Sequence, residues 1–278
     1  MGKGRKLMVR TLSAIVFAAL MILSFFFKEA FLPVFAILIV LMSHETFNLL
    51  LPEGKLRGER ICVTLSAVSL FVLVFLWRMG DVDASFISLS ALPVVVAMVM
   101  MLFDCSKDYD INAGVFFPLL YVALPVTSAN WIVTPGGSFD GLLLLVIFVM
   151  IWANDVGAYL IGMGFGQRPD SKKLFPALSP KKSWVGFFGG VLFTLAAAVV
   201  TGLFFYEGIS LTHWIAMALI ISVFGVFGDL FESLVKRHAS VKDSGKIMPG
   251  HGGALDRFDA ALLSIPLVAM YVYFFSLI

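Results

Sequence analysis

The chain has 278 residues, with 20 Lys and Arg against 18 Asp and Glu and a net charge of +2. Hydrophobic residues make up 60% of the sequence, whereas an ordinary soluble domain holds roughly 45–50% apolar residues. With a mean hydropathy of +0.99, this composition excludes a soluble globular domain and predicts a membrane protein. It gives no reason to expect a nucleic-acid partner.

Apolar segments recur along the whole chain, and each can cross a bilayer core of roughly 30 Å. Because backbone in lipid must satisfy its hydrogen bonds within the protein, and barrel-type alternation is absent, we predict helices. The predicted fold is therefore all-α, a polytopic integral membrane protein with about nine transmembrane helices. The predicted spans are 8–27, 30–51, 61–79, 85–103, 112–132, 140–163, 184–206, 211–234 and 256–277. We divide the chain into an N-terminal region of about five spans, 1–139, and a C-terminal region of about four, 140–278.

The connections between the spans alternate in charge. If the N-terminus is cytoplasmic, only Lys28 and Arg78 of the 20 basic residues lie on the opposite side, which leaves 18 on the cytoplasmic side. Cytoplasmic loops carry an excess of Lys and Arg. The sequence therefore predicts a cytoplasmic N-terminus, and it places the two longest loops, 164–183 and 235–255, on the cytoplasmic side.

The last two spans flank a segment, 229–259, that holds four Asp, one Glu, five Lys or Arg, two His and four Gly, although only 14% of the chain is charged. Asp229, Glu232 and Lys236 follow one another at spacings of three and four, and Ser233 lies beside them, so these side chains share a helical face. Asp256 and Asp259 are three residues apart at the start of the last span. Such a concentration of charge between apolar segments requires water, a metal or a charged ligand.

A third predicted helix brings a further carboxylate, Asp155, to a similar depth in the membrane. Acids within spans are costly and usually face a partner or a watery cavity. We predict that Asp229, Asp256 and Asp259 bind a hard divalent cation such as Mg²⁺ through oxygen ligands, with Asp155 and Asp243 as weaker candidates. The alternative is that these acids are solvated at helix ends or paired with basic neighbours.

Both long cytoplasmic loops contain residues suited to phosphate. One has Lys242, Asp243 and the PGHGG run, whose glycines let backbone approach a ligand closely just before a helix start that favours anions. The other has Ser179 and, at a helix start where the dipole disfavours cations, Lys181 and Lys182. The alternative for these two lysines is that they only fix topology or contact anionic lipid headgroups.

Two polar residues near the inner end of the second span, His44 and Glu45, are either packing partners or support for the site. We do not include them among the candidate site residues.

The run SLVKRHASVKDSGKIMPGHGGALDRFD, which covers 27 consecutive positions from Ser233 to Asp259, closely resembles the signature of phosphatidate cytidylyltransferases, also called CDP-diacylglycerol synthases. The segments 154–162 and SPKKSW are also similar to recurrent segments of that family. One position departs from the pattern: Val185 stands where the family has a Glu or Gln. The N-terminal half carries no motif that can be matched residue by residue.

The resemblance implies cytidylyl transfer from CTP to phosphatidate, giving CDP-diacylglycerol and pyrophosphate in phospholipid biosynthesis. It also implies Mg²⁺ as a cofactor, with room for a second, monovalent cation. It further implies a homodimer in a bacterial plasma (inner) membrane, with the active site facing the cytoplasm. The catalytic candidates are Asp229, Lys242, Asp243, His251, Asp256, Arg257 and Asp259. The substrate-binding candidates are Ser179, Lys181, Lys182, Ser233, Lys236, Arg237, Gly252 and Gly253.

Two other classes of function stay open on the residues alone. An ion-coupled transporter could use the same acids, although it should place ionisable groups near mid-membrane with access from both sides. A different metal-dependent membrane transferase, acting on a polyprenyl phosphate or a CDP-alcohol, could use the same chemistry.

Overall fold

A computed structural model of the protein describes residues 3–51, 54–104, 109–168, 171–206, 208–247 and 252–278. The N-terminal helices are α1 (Lys3–Phe26), α2 (Lys28–Leu50), α3 (Arg57–Met79), α4 (Ala91–Asp104), α5 (Tyr109–Pro118) and α6 (Leu124–Val133). The later elements are α7 (Leu142–Phe165), β1 (Lys173–Phe175), β2 (Ser179–Ser183), α8 (Trp184–Phe204), α9 (Leu211–His238) and α10 (Leu255–Phe274). Short 3₁₀ segments at Ala84–Ser90 and Pro135–Gly137 and a π-helical turn at Leu119–Ala123 complete the secondary structure.

The predicted membrane architecture is confirmed. Eight helical segments within the described residues are long and apolar enough to cross a membrane, and a shorter apolar stretch, Thr11–Phe26, lies at the position of the first predicted span. Each predicted span thus coincides with helix in the structure. The protein is a polytopic, nearly all-α integral membrane protein.

The described chain forms two compact units. The first consists of residues 1–142 and 238–258, and the second of residues 143–237 and 259–278. The predicted division at residue 139 stays a prediction.

Aromatic rings pack against one another in the core of the first unit. The ring of Phe31 lies 4.4 Å from that of Phe35 and 5.8 Å from that of Phe71, measured between centroids. Asn130 on α6 donates a hydrogen bond of 3.0 Å from Nδ2 to the carbonyl of Phe71 on α3. Packed aromatic pairs contribute about 0.5–1.5 kcal/mol beyond their buried area, and in lipid such contacts stabilise the bundle in place of a solvent-driven effect.

Small residues allow α7 and α8 of the second unit to approach closely. A Cβ at Gly157 would lie 2.7 Å from the Gly189 carbonyl oxygen, and a Cβ at Gly190 would lie 2.5 Å from Oδ1 of Asn154. Asn154 is buried, and its Oδ1 accepts a hydrogen bond of 3.3 Å from Thr194. The interface of α7 and α8 combines small residues with a buried hydrogen bond, which is typical of helix packing in membranes.

The loop predicted at 164–183 contains an antiparallel hairpin that the sequence analysis did not predict. Strands β1 and β2 pair with Lys173 opposite Ser183 and Phe175 opposite Ser179. Lys173 donates from Nζ to the carbonyl of Gly166, just beyond the end of α7, at 2.9 Å. Ser183 ends β2 and caps α8, because its Oγ accepts a hydrogen bond from the Gly186 N–H at 3.2 Å. Lys173 therefore anchors the hairpin to the end of α7.

Candidate functional site

The second unit contains a cluster of three acids from two helices. Asp229 and Glu232 are three residues apart on α9, and Asp259 is the fifth residue of α10. One carboxylate oxygen from each lies within 4.8 Å of the other two. Opposite oxygens around Mg²⁺ are about 4 Å apart, and around Ca²⁺ roughly 5 Å. The spacing and the oxygen-only ligand set therefore suit a hard divalent cation.

Two lysines neutralise this cluster in part. Lys182 Nζ lies 2.5 Å from Asp229 Oδ2, and Lys236 Nζ lies 2.7 Å from Glu232 Oε2. Two of the three acids are thus paired with lysine ammonium groups. The Asp229 side chain is 38% exposed whereas that of Glu232 is fully buried, so a ligand from solution can reach Asp229 more readily.

Short-range hydrogen bonds orient the same acids. Ser233 donates to Asp229 Oδ1 at 3.4 Å, and the Ala260 N–H donates to Asp259 Oδ1 at 2.7 Å. Close packing also fixes the depth of Asp259: a Cβ at Gly228 on α9 would overlap the carbonyl oxygen of Asp259. The helix face predicted from the spacing of Asp229, Ser233 and Lys236 is the one that carries these interactions.

The first unit places Asp256 in a different environment. Its Oδ2 accepts hydrogen bonds from the Ser244 N–H at 3.0 Å, the Ser244 hydroxyl at 3.0 Å and the Gly253 N–H at 2.8 Å. The Gly253 N–H is therefore directed to Asp256. Gly252 has a φ of +86°, and a Cβ there would lie 2.5 Å from the same carboxylate oxygen, so this position requires glycine. Asp256 organises the segment that precedes α10.

The other predicted residues have varied surroundings. Asp155 lies exposed on α7 and is not one of the three clustered acids. Lys242, Asp243, Arg237 and Arg257 are exposed. Ser179 and Lys181 lie in β2, where Gln167 donates from Nε2 to the Lys181 carbonyl at 2.9 Å. His251 lies outside the described residues.

Two acids that belong to the site or support it were not predicted from the sequence. Glu232 belongs to the acid cluster, and its helical spacing with Asp229 could have identified it. Glu45 on α2 accepts hydrogen bonds from the Ala254 N–H at 2.9 Å and the Leu255 N–H at 2.8 Å. Only its position as an acid at the end of an apolar span hinted at this role, since about 200 residues separate the partners.

The helices and the acid–lysine cluster define an integral membrane protein equipped to bind a charged ligand. Comparison with known proteins identifies the family. The model of the cytidylyltransferase family matches residues 8–275, and the chain therefore belongs to the cytidylyltransferase family.

Several relatives carry the name phosphatidate cytidylyltransferase. One from Staphylococcus haemolyticus (strain JCSC1435) is 32% identical over 266 residues, which cover 94% of this chain and 96% of the relative. One from Staphylococcus aureus (strain COL) is 33% identical over 264 residues, with the same coverage. One from Bacillus subtilis (strain 168) is 44% identical over 128 residues, 46% of each chain.

Proposed function

We propose that the protein transfers a cytidylyl group from CTP to phosphatidate, giving CDP-diacylglycerol and pyrophosphate. The observation that carries this proposal is that relatives named for this activity align over 94% of the chain. The acid–lysine cluster supports it, because two highly charged phosphate compounds must be brought together.

The reaction needs little acid–base chemistry. A phosphate monoester has its second pKa near 6, so the phosphatidate phosphate is already a nucleophile at about pH 7. One of its oxygens forms a bond to the α-phosphorus of CTP, and the bond from that phosphorus to the bridging oxygen of the β-phosphate breaks. The electron pair leaves with pyrophosphate. Catalysis then depends on placement of the two reactants and on relief of anion–anion repulsion.

Asp229, Glu232 and Asp259 offer the oxygen-only ligand type that suits Mg²⁺, and Asp256 and Asp155 remain proposed ligands. When bound, the cation supplies charge neutralisation and orientation of phosphate oxygens. Lys182 and Lys236 pair with the acids and can donate to phosphate oxygens in a substrate complex. We further propose that Lys181, Lys242 and His251 hold phosphate groups, and that Arg237 and Arg257 orient the acids or contact phosphate. Asp243 is a weaker proposed metal ligand, and Ser179, Ser233, Gly252 and Gly253 are proposed to bind substrate.

The site should face the cytoplasm of a bacterial plasma membrane. Asp229 is about 27 Å along α9 from Leu211, which places it near one membrane boundary, and the distribution of basic residues predicts that this boundary is cytoplasmic. A water-soluble nucleotide and a lipid anchored in the inner leaflet can meet at that level. Cysteine accessibility at an introduced Asp243→Cys in intact cells, read with a membrane-impermeant reagent, measures this orientation.

The homodimer and the monovalent cation implied by the family resemblance also stay proposals. Light scattering of the detergent-solubilised protein measures its oligomeric state. Activity with K⁺ replaced by a bulky organic cation tests the need for a monovalent cation.

The direct test of the reaction is formation of lipid-linked CDP from labelled CTP. Purified full-length protein in phosphatidate-containing detergent micelles should yield the product with Mg²⁺ and none with a chelator. Folded protein that gives no product under these conditions would contradict the proposal. It would favour an ion-coupled transporter or a transferase acting on another lipid.

A further inference from the structure

Glu45 is a buried acid that the proposed reaction does not use. It lies on α2 and is 2% exposed, and burying a charge of this kind is costly unless hydrogen bonds compensate it. The compensation comes from the segment around the start of α10, in the same compact unit. Its Oε1 accepts from the Ala254 N–H, and its Oε2 accepts from the Leu255 N–H and from the Ser244 hydroxyl at 3.0 Å.

These contacts join two described stretches, 244–247 and 252–256, to α2. Ser244 lies at the beginning of the first stretch, and Ala254 and Leu255 lie at the first turn of α10, where unpaired N–H groups and the helix dipole favour a negative charge. One carboxylate therefore joins the loop start, the helix start and a helix that lies about 200 residues earlier in the chain.

The Ser244 hydroxyl connects Glu45 to Asp256. Its Oγ lies 3.0 Å from Glu45 Oε2 and 3.0 Å from Asp256 Oδ2. A serine hydroxyl has one hydrogen to donate, so the two carboxylates share a single donor. The shared hydroxyl therefore links the two carboxylates, in addition to the backbone N–H groups from which each accepts.

Two glycines of the loop make room for this carboxylate. A Cβ at Gly245 would lie 2.8 Å from Glu45 Cδ, and a Cβ at Gly253 would overlap the Ser244 hydroxyl and both Glu45 carboxylate oxygens. Glycine at these positions thus accommodates an internal acid as well as any ligand outside the loop.

We propose that Glu45 is a positioning residue that holds residues 244–247 and 252–256, the described part of the loop, in place, and that through Ser244 it contributes to the orientation of Asp256. The proposal deepens the proposed function and rests on it for its catalytic consequence. Glu45 itself makes no contact with substrate in this scheme.

The test is Glu45→Gln in the full-length protein, because glutamine keeps the shape but directs an NH₂ donor towards N–H and O–H donors. The matched control is Glu59→Gln, the same change at a second buried acid of the same unit, on α3. Two readouts are needed: amide hydrogen exchange of residues 244–256 and the Mg²⁺ concentration that gives half-maximal rate.

For Glu45→Gln we expect faster exchange confined to the loop and a rise of about 10- to 100-fold in the Mg²⁺ requirement, the range found when residues that orient metal ligands are changed. Glu59→Gln should leave both readouts at wild-type values. Wild-type loop exchange in Glu45→Gln, or an equal effect of Glu59→Gln on the loop, would overturn the proposal. Wild-type protein without transferase activity would contradict the proposed function alone, because hydrogen exchange still tests the role of Glu45.

Discussion

Two acids of the second unit and two of the first are bound by different kinds of partner group. In the second unit, Asp229 and Glu232 are paired with lysine ammonium groups. In the first, Glu45 and Asp256 accept hydrogen bonds from backbone N–H groups and a serine hydroxyl. A lysine on a flexible stem can move to a phosphate while a cation takes its place beside the carboxylate. Backbone donors cannot leave in this way, because a buried N–H without a partner costs about 1–3 kcal/mol.

Under the proposed function, this difference would separate acids that exchange partners during the reaction from acids that hold the loop. Acids paired with mobile cations can exchange partners during a reaction cycle, whereas acids bound to backbone fix the loop that carries other residues. Substitutions in the first set should therefore impair turnover in folded protein. Substitutions around the second should affect the order of the loop and protein stability first.

The largest effect is expected for Asp259→Asn. Loss of a carboxylate from the proposed metal site should lower kcat by about 10³-fold, comparable to the loss of a strong electrostatic contribution in other active sites. The measurement is CDP-diacylglycerol formation at saturating CTP, with thermal unfolding to show that the variant is folded. Asp81→Asn, at an exposed acid before the 3₁₀ segment, is the control and should keep wild-type activity. Normal turnover by Asp259→Asn would remove the metal assignment.

A smaller loss is expected for Lys182→Ala. Removal of the ammonium group that faces Asp229 at 2.5 Å should reduce kcat/KM for CTP by about 10- to 100-fold, since a charge-assisted bond to phosphate contributes roughly 1.5–3 kcal/mol. Lys172→Ala, at an exposed lysine before β1, provides the control. An unchanged kcat/KM for CTP would mean that Lys182 serves only to fix the membrane topology.

Gly245→Ala should reduce stability more than it reduces catalysis per folded molecule. The added methyl group must displace the Glu45 carboxylate, whose Cδ would be 2.8 Å away, and overpacking of this kind costs about 1–3 kcal/mol. The thermal unfolding midpoint should fall. Gly164→Ala on α7, where a Cβ would meet no atom within 4 Å, should leave it unchanged or raise it slightly. Equal midpoints for the two variants would show that the loop does not pack tightly on Glu45.

The smallest effect is expected for Ser244→Ala. Glu45 keeps its bonds from two backbone N–H groups and Asp256 keeps two as well, so only the shared hydroxyl is lost. The free energy of unfolding should fall by about 0.5–1.5 kcal/mol, as measured by reversible denaturation in mixed micelles. A loss as large as that caused by Glu45→Gln would mean that the hydroxyl, and not the backbone, is the main partner of Glu45.

The membrane architecture could be predicted from sequence because hydropathy alone determines it. Each apolar run of about 20 residues has only one way to satisfy its backbone in lipid. The hairpin of β1 and β2 could not be predicted, since its three- and five-residue strands carry no alternation of apolar residues and depend on contacts such as Lys173 with Gly166.

The site was predictable where its geometry is local. Helical spacing places Asp229 and Lys236 on one face, and Asp229 and Asp259 lie in the acid cluster. Their assignment as metal ligands, with Asp256, stays a prediction. Glu45 was not predictable, because its partners lie about 200 residues away in sequence. Asp256 shows the same limit: spacing puts it beside Asp259, but only the folded loop shows that its Oδ2 accepts three hydrogen bonds.

Binding of Mn²⁺ to the purified full-length protein, followed by electron paramagnetic resonance, tests the central claim most directly, because Mn²⁺ accepts the same oxygen ligands as Mg²⁺. We expect wild-type protein and the Asp81→Asn control to bind the ion and the Asp229→Asn/Asp259→Asn double variant to lose this binding while remaining folded. Undiminished Mn²⁺ affinity in the double variant would contradict the assignment of the acid cluster as the metal site of cytidylyl transfer.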